Sequence, residues 1–211
     1  RDVILEYLWP DMDRERALRN FYVTWSALKT AILSGERGNA WRRFLVCTGG
    51  VCRVTEAVHS DIADFGRCSR MIREANSSGR HADAVEAGEL LVEVYRGDLL
   101  PADLYESWFE EDRARFKREF CDAMLVAADS AYETGRYDAV LSFLRRASAT
   151  DPWREDVYQM IMRCQMTAGQ RSGAIETYHV CRARLVDDLG IDPCSETTEL
   201  FQAVLAMEDG E

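Results

Sequence analysis

Two glycines 34 residues apart set the tightest limit on how this chain can fold. Gly135 closes the stretch Ala131-Tyr132-Glu133-Thr134, and Gly169 closes Cys164-Gln165-Met166-Thr167-Ala168. After each glycine a segment opens with small residues, Ala139-Val140-Leu141 in one case and Gly173-Ala174-Ile175 in the other. That period belongs to stacked helix–turn–helix units, whose helix pairs bury their apolar faces against their neighbours. Each glycine is expected at the turn between two helices, where a positive φ suits it. Thr150-Asp151-Pro152-Trp153 falls between the two units. Asp151 is expected to cap the following helix, with Pro152 in its first turn.

The helical period extends over everything after Thr55. A helix over about 61–75 carries Ile62, Phe65, Cys68, Met71 and Ile72 on one side, and Ser77-Ser78-Gly79 breaks it. Another follows over about 82–95, then a long one over about 107–134 with Trp108, Phe109, Phe116, Phe120, Met124, Leu125 and Ala128. A helix over about 172–189 is stopped by Gly190, and a last one is capped near Ser195. The Tyr and Trp residues sit at helical spacing and read as core.

Residues 1–54 read differently. A short helix ends at Trp9-Pro10, since proline disfavours helix in the residue before it. Asp11 or Asp13 is placed to cap the next helix. In that helix Leu18, Phe21, Trp25, Leu28 and Ile32 recur at steps of three and four, one apolar face running to about Leu33. Gly35 and Gly38 are expected to end it. Phe44 to Cys47, a turn at Thr48-Gly49-Gly50, and Val51 to Val54 read as a β-hairpin.

The net charge of −11 is unevenly spread. Residues 1–55 hold nine Lys and Arg against six Asp and Glu, whereas the remainder holds 17 against 31. A mildly basic front and an acidic back imply two modules with different surfaces. The seven cysteines are odd in number, irregularly spaced and without a CxxC pair, so they read as reduced, mostly buried thiols of a cytoplasmic protein. There is no phosphate-binding GxxxxGK[ST] loop, GxSxG elbow or HExxH pair, and His59, His81 and His179 lie far apart. These absences point away from an enzyme, and no cofactor or metal is expected. No apolar run is long enough for a transmembrane helix, so no membrane partner is expected.

The stretch RDVILEYLWPDMDRERALRNFYVTWSALKTAI followed by RFLVCTGGVCRV resembles the OmpR-type winged helix of SARP-type (antibiotic regulatory protein) transcription activators. In that family further strands and the start of the first helix precede the position of Arg1. ELLVEVYRGDLLPADLYESWFEEDRARF and YHVCRARLVDDLGIDPCSETTELFQAVL resemble the bacterial transcriptional activator domain that follows it. The resemblance implies a mainly α protein: a truncated winged helix-turn-helix with a β-hairpin wing over 1–54, then an all-α TPR-like helical repeat domain over 55–211.

It also implies that the helix over about 13–33 reads duplex DNA. Arg16, Arg19, Asn20, Thr24 and Lys29 lie on or beside its outer face, where arginine and asparagine match guanine and adenine edges. Arg42, Arg43 and Arg53 are expected to hold phosphates. The stretch Ser26-Ala27-Leu28-Lys29-Thr30 departs from the family, having one positive charge where an LRR run is usual. Two functions therefore stay open. One is a DNA-binding activator whose helical domain takes a protein partner or a second copy. The other is a TPR-like interaction scaffold whose front domain is no longer competent for DNA.

Overall fold

The structure, a computed structural model, describes residues 1–33, 40–103 and 109–207. Gly35 and Gly38, expected to end a helix, and Ser107 and Trp108, expected to start the long helix over about 107–134 and to lie on its apolar face, lie outside the described residues. The chain divides into two compact units, Arg1–Ser60 and Asp61–Glu211. The described residues are mainly helical, with one two-stranded antiparallel sheet.

In the first unit, α1 (Asp2–Leu8) ends at Trp9, before Pro10. The helix α2 (Arg14–Leu33) starts at Asp13, whose Oδ1 accepts the backbone N–H of Arg16 at 3.0 Å. That bond satisfies one of the donors a helix N-terminus leaves open, and the carboxylate suits the positive end of the helix dipole. Leu5 of α1 packs on Ala17 and Phe21 of α2, with Ile4, Trp9, Leu18, Trp25 and Cys52 around them. The apolar stripe is covered only in part. Leu28 was expected inside but is 41% exposed. With seven residues α1 is about 10 Å long, against about 30 Å for the 20 residues of α2, so it covers only the first half.

A short 3-10 turn (Ala40–Arg43) leads into β1 (Leu45–Thr48) and β2 (Val51–Val54). The turn residues Gly49 and Gly50 have φ of +60° and +82°, the paired positive values of a two-residue hairpin loop. Pairing runs from Leu45 opposite Val54 to Thr48 opposite Val51, which sets Cys47 opposite Cys52. These two are joined by a disulfide, which corrects the reading of all seven cysteines as reduced. Inspection for CxxC spacing overlooks such a pair, because the fold of the hairpin, not proximity in sequence, brings it together.

The described residues of the second unit form α3 (Asp61–Ser77), α4 (His81–Val94), a 3-10 turn (Pro101–Asp103), α5 (Glu110–Glu133), α6 (Tyr137–Thr150), α7 (Glu155–Thr167), α8 (Arg171–Leu189) and α9 (Ser195–Leu205). The pairs α3/α4, α5/α6 and α7/α8 are joined by the same turn. In each the glycine is left-handed, with φ of +69° at Gly79, +70° at Gly135 and +71° at Gly169. The next residue donates its N–H back to the helix it leaves: Arg80 to Ala75 (2.9 Å), Arg136 to Ala131 (2.8 Å), Gln170 to Gln165 (2.8 Å). This is the Schellman closure, which satisfies carbonyls at a helix end. Its carbonyl then accepts the first bond of the following helix, from Ala84, Val140 or Ala174. Gly79 therefore makes a third repeat turn that the 34-residue spacing alone did not reveal.

The main core runs through α3 to α7, with Phe65, Ile72, Leu91, Phe120, Met124, Phe143, Leu144 and Val157 buried. Tyr95 stacks on Phe120 with centroids 4.3 Å apart. A second cluster joins Met162, Ala174, Tyr178 and Val204, where Tyr178 stacks on Phe201 at 3.8 Å. The last helix is also held by polar groups. Buried Thr197 donates to Glu155 Oε2 (2.6 Å) and accepts from Gln159 Nε2 (2.9 Å), both on α7. Arg154 ties α5 to the start of α7 through Asp122 (2.6 Å) and Asp156, and these carboxylates hold its proton more tightly than usual.

Three other expectations are corrected. On α3 the buried residues are Asp64, Phe65, Cys68, Ser69, Ile72 and Ala75, whereas Ile62 and Met71 face solvent. Asp151 closes α6, its N–H bonded to Ala147, and two more turn residues precede Arg154 at the start of α7. Tyr22, Tyr137 and Trp153 are exposed, because helical spacing does not reveal which faces remain uncovered.

Candidate nucleic-acid interface

The eight basic and polar residues expected to meet DNA all belong to the first unit and fall into three groups. The first is the outer face of α2. Packing of Ala17 and Phe21 on α1 turns the opposite side of the helix to solvent. Arg16 and Arg19 are exposed there beside Val23, which is 71% exposed. Thr24 is exposed at the edge of this face. Arg19 lies 3.8 Å from Glu15 one turn earlier, both side chains largely in water. Such a pair holds an arginine weakly and leaves it available to a stronger anion. Asn20 is half-buried, and its Nδ2 donates to Met12 Sδ at 3.2 Å.

The second group centres on Trp41 in the 3-10 turn. Lys29 Nζ lies 5.2 Å from its ring centroid and Arg42 Cζ 5.5 Å. Trp41 in turn packs edge-to-face on Trp25 of α2, centroids 6.4 Å apart. The negative ring face attracts both cations, and the contact limits how far either can swing. Trp41 is the residue that sequence reasoning missed. Its signal was an aromatic beside the pair Arg42-Arg43, in a segment whose packing partner lies 16 residues earlier.

The third group follows the hairpin. Arg43 is exposed over Phe44 at 5.8 Å, and its carbonyl accepts the Thr55 hydroxyl. The Thr55 N–H donates to Phe44 O at 2.8 Å, extending the strand pairing by one step. Arg53 is exposed on β2, opposite Val46. The arrangement offers cations and hydrogen-bond donors on a helix, a turn and a strand of one small unit. Among the described residues no group of three or more His, Cys, Asp and Glu could hold a metal ion, and no helix is long and apolar enough to cross a membrane.

Comparison with known proteins places this geometry in context. The family model described as "Bacterial transcriptional activator domain" matches residues 60–205. The chain is 24% identical to the transcriptional regulatory protein MoaR1 of Mycobacterium tuberculosis, over 97% of this chain and 66% of that protein. It is 22% identical to the regulatory protein DnrI of Streptomyces peucetius, over 87% of this chain and 67% of the relative. Among solved structures, Mycobacterium tuberculosis EmbR in complex with a low affinity phosphopeptide shares the fold, with a TM-score of 0.74 at 22% identity. That match covers 97% of this chain and 54% of the EmbR chain. The chain thus spans about two thirds of the length of MoaR1 and about half of EmbR. MoaR1 is described as a transcriptional regulatory protein and DnrI as a regulatory protein.

Proposed function

We propose that this chain, which belongs to the bacterial transcriptional activator domain family, is part of a cytoplasmic DNA-binding transcriptional activator. Its residues 1–54 contact duplex DNA and its residues 55–211 engage a protein partner or a second copy. The observation that carries this reading is the outer face of α2. Arg16, Arg19 and Thr24 are exposed on the helix whose opposite side is packed, within a unit that also exposes Arg42, Arg43 and Arg53. In this reading Arg16 and Asn20 approach base edges in the major groove. Arg43 and Arg53 meet phosphates from the hairpin, and the Trp41 ring holds Lys29 and Arg42 ready for the same backbone.

The test is an electrophoretic mobility or anisotropy titration of the protein that carries this chain against its own promoter region. Arg16→Ala should cost about 1–3 kcal/mol on the cognate site and less on other sequences, as for a base contact. Arg53→Ala should weaken all sequences alike and lower the salt slope by about 1. A second reading, an interaction scaffold without DNA binding, is favoured by the engagement of Asn20 with Met12 and by the excess of acid in the helical unit. It requires that no shift be seen at low salt while a partner is still captured.

A further inference from the structure

We infer that Cys47 and Cys52 form a reversible thiol–disulfide modification site on the hairpin, which exchanges with a low-molecular-weight disulfide of the glutathione class. The pair is built by backbone pairing. Thr48 and Val51 flank the Gly49-Gly50 loop as a hydrogen-bonded pair, so the next pair inward, Cys47 and Cys52, is non-hydrogen-bonded. Side chains lie closest at such positions. The two Cα atoms are 4.1 Å apart, and the sulfurs are bonded. Strand pairing thus brings the two sulfurs within bonding reach.

Exposure separates this pair from most of the other thiols. Cys68, Cys121 and Cys181 are buried, and burial pushes all three thiols, and that of half-buried Cys164, upward, which suppresses the reactive thiolate. Cys47 is exposed and Cys52 half-buried, and exposed disulfides are the exchangeable ones. Their unequal exposure assigns the order of steps. The Cys47 thiolate attacks one sulfur of the small disulfide, forming a mixed disulfide and releasing one small thiolate. The Cys52 thiolate then attacks the Cys47 sulfur, closing the protein disulfide and expelling the second small thiolate. Two electrons pass from the pair to the small disulfide, and the two protons lost by the cysteines end on the released thiols.

The site has a route to α2. Cys52 packs against the cluster of Leu5, Ala17 and Phe21, and Arg53 follows it on the strand. The disulfide pins the register of the strand that carries Arg53 beside that cluster. If residues 1–54 contact DNA, as proposed above, oxidation changes DNA affinity, and this consequence alone rests on that reading.

The test equilibrates the whole protein in reduced and oxidised glutathione at stepped ratios, quenches it with a maleimide under native conditions, and counts adducts by intact mass. Exposed Cys194 would itself form a mixed disulfide with glutathione, so the titration is run in a Cys194→Ser background. The inference expects a single transition in which two adducts are lost together, and the loss of that two-thiol step in Cys47→Ser and in Cys52→Ser. Unchanged thermal midpoints in the two variants show that folding is retained. Retention of both adducts in fully oxidised glutathione, or a stable mixed disulfide without ring closure, overturns it. Promoter binding by the two forms is measured in parallel. A protein that exchanges its disulfide but binds no DNA in either form refutes the proposed function and leaves the modification site standing.

Discussion

Gly88 lies in the middle of α4, and its replacement by alanine tests the close approach of three helices. A Cβ built there would sit 2.8 Å from Ala127 Cβ, 3.0 Å from Phe143 Cζ and 3.3 Å from Phe143 Cε1. Carbon atoms pack at about 3.5–4.0 Å, so the new methyl overlaps both neighbours. The phenylalanine ring can give way slightly, but Ala127 Cβ moves only with the α5 backbone. Overpacking of this kind costs about 1–3 kcal/mol. Alanine recovers up to about 1 kcal/mol of helix propensity over glycine. With the contact on backbone-fixed Ala127 at the short end, the net effect should be a loss of about 1–2 kcal/mol. For a unit of this size that lowers the thermal midpoint by about 2–8 °C. Thermal and urea unfolding of the protein, followed by circular dichroism, provide the assay. Phe143→Leu removes the ring edge from the crowded spot and should soften the effect of Gly88→Ala in a double-mutant cycle. A midpoint that stays the same or rises in Gly88→Ala would refute the packing argument.

The repeat turns should behave differently. An added Cβ at Gly135 or Gly169 meets nothing within 4 Å, but φ of about +70° strains any L side chain, so alanine at either should cost about 1–2 kcal/mol and no core substitution should rescue it. Thr197→Val should cost about 1–3 kcal/mol in urea titrations, because it removes the buried hydroxyl that bridges the Glu155 carboxylate and the Gln159 amide and leaves each with Cys194 as its remaining partner. Burial raises the Cys121 thiol from 9.0 to about 11 and the Cys181 thiol to about 12. The folded state thus keeps protons that the unfolded chain gives up. Stability should be full below about pH 9 and fall as pH rises from there through 11, measured as the urea midpoint against pH, with a shallower fall in Cys121→Ala.

Most of the fold was legible because its elements announce themselves locally. The three-and-four spacing of Leu18, Phe21 and Trp25 marked α2, and the Gly49-Gly50 pair marked the hairpin turn. The Gly135–Gly169 interval marked two repeat turns. Gly79 escaped because it stands 56 residues before Gly135, outside the regular interval. The readings that failed all depend on what packs from elsewhere. Ile62 and Met71 satisfy the helical period, yet both are exposed on α3. Leu28 lies beyond the reach of α1. Within the candidate interface the residue types were legible from the sequence, but the Trp41 contacts of Lys29 and Arg42 were not, since they arise when the 3-10 turn folds back on α2. The Cys47–Cys52 bond was implicit in the hairpin itself: once its register is drawn, the two thiols face each other.

The central claim is that the exposed arginines of α2 and the hairpin meet DNA. The most direct measurement is the promoter affinity of the protein that carries this chain as a function of salt, for the wild type and for Arg16→Ala and Arg53→Ala. The account predicts binding at low salt, a linear fall of log K with log salt, and a slope about 1 unit shallower in Arg53→Ala. It also predicts a loss in Arg16→Ala that is larger on the promoter than on unrelated duplex. Absence of binding at low salt, or binding that neither substitution alters, would contradict it.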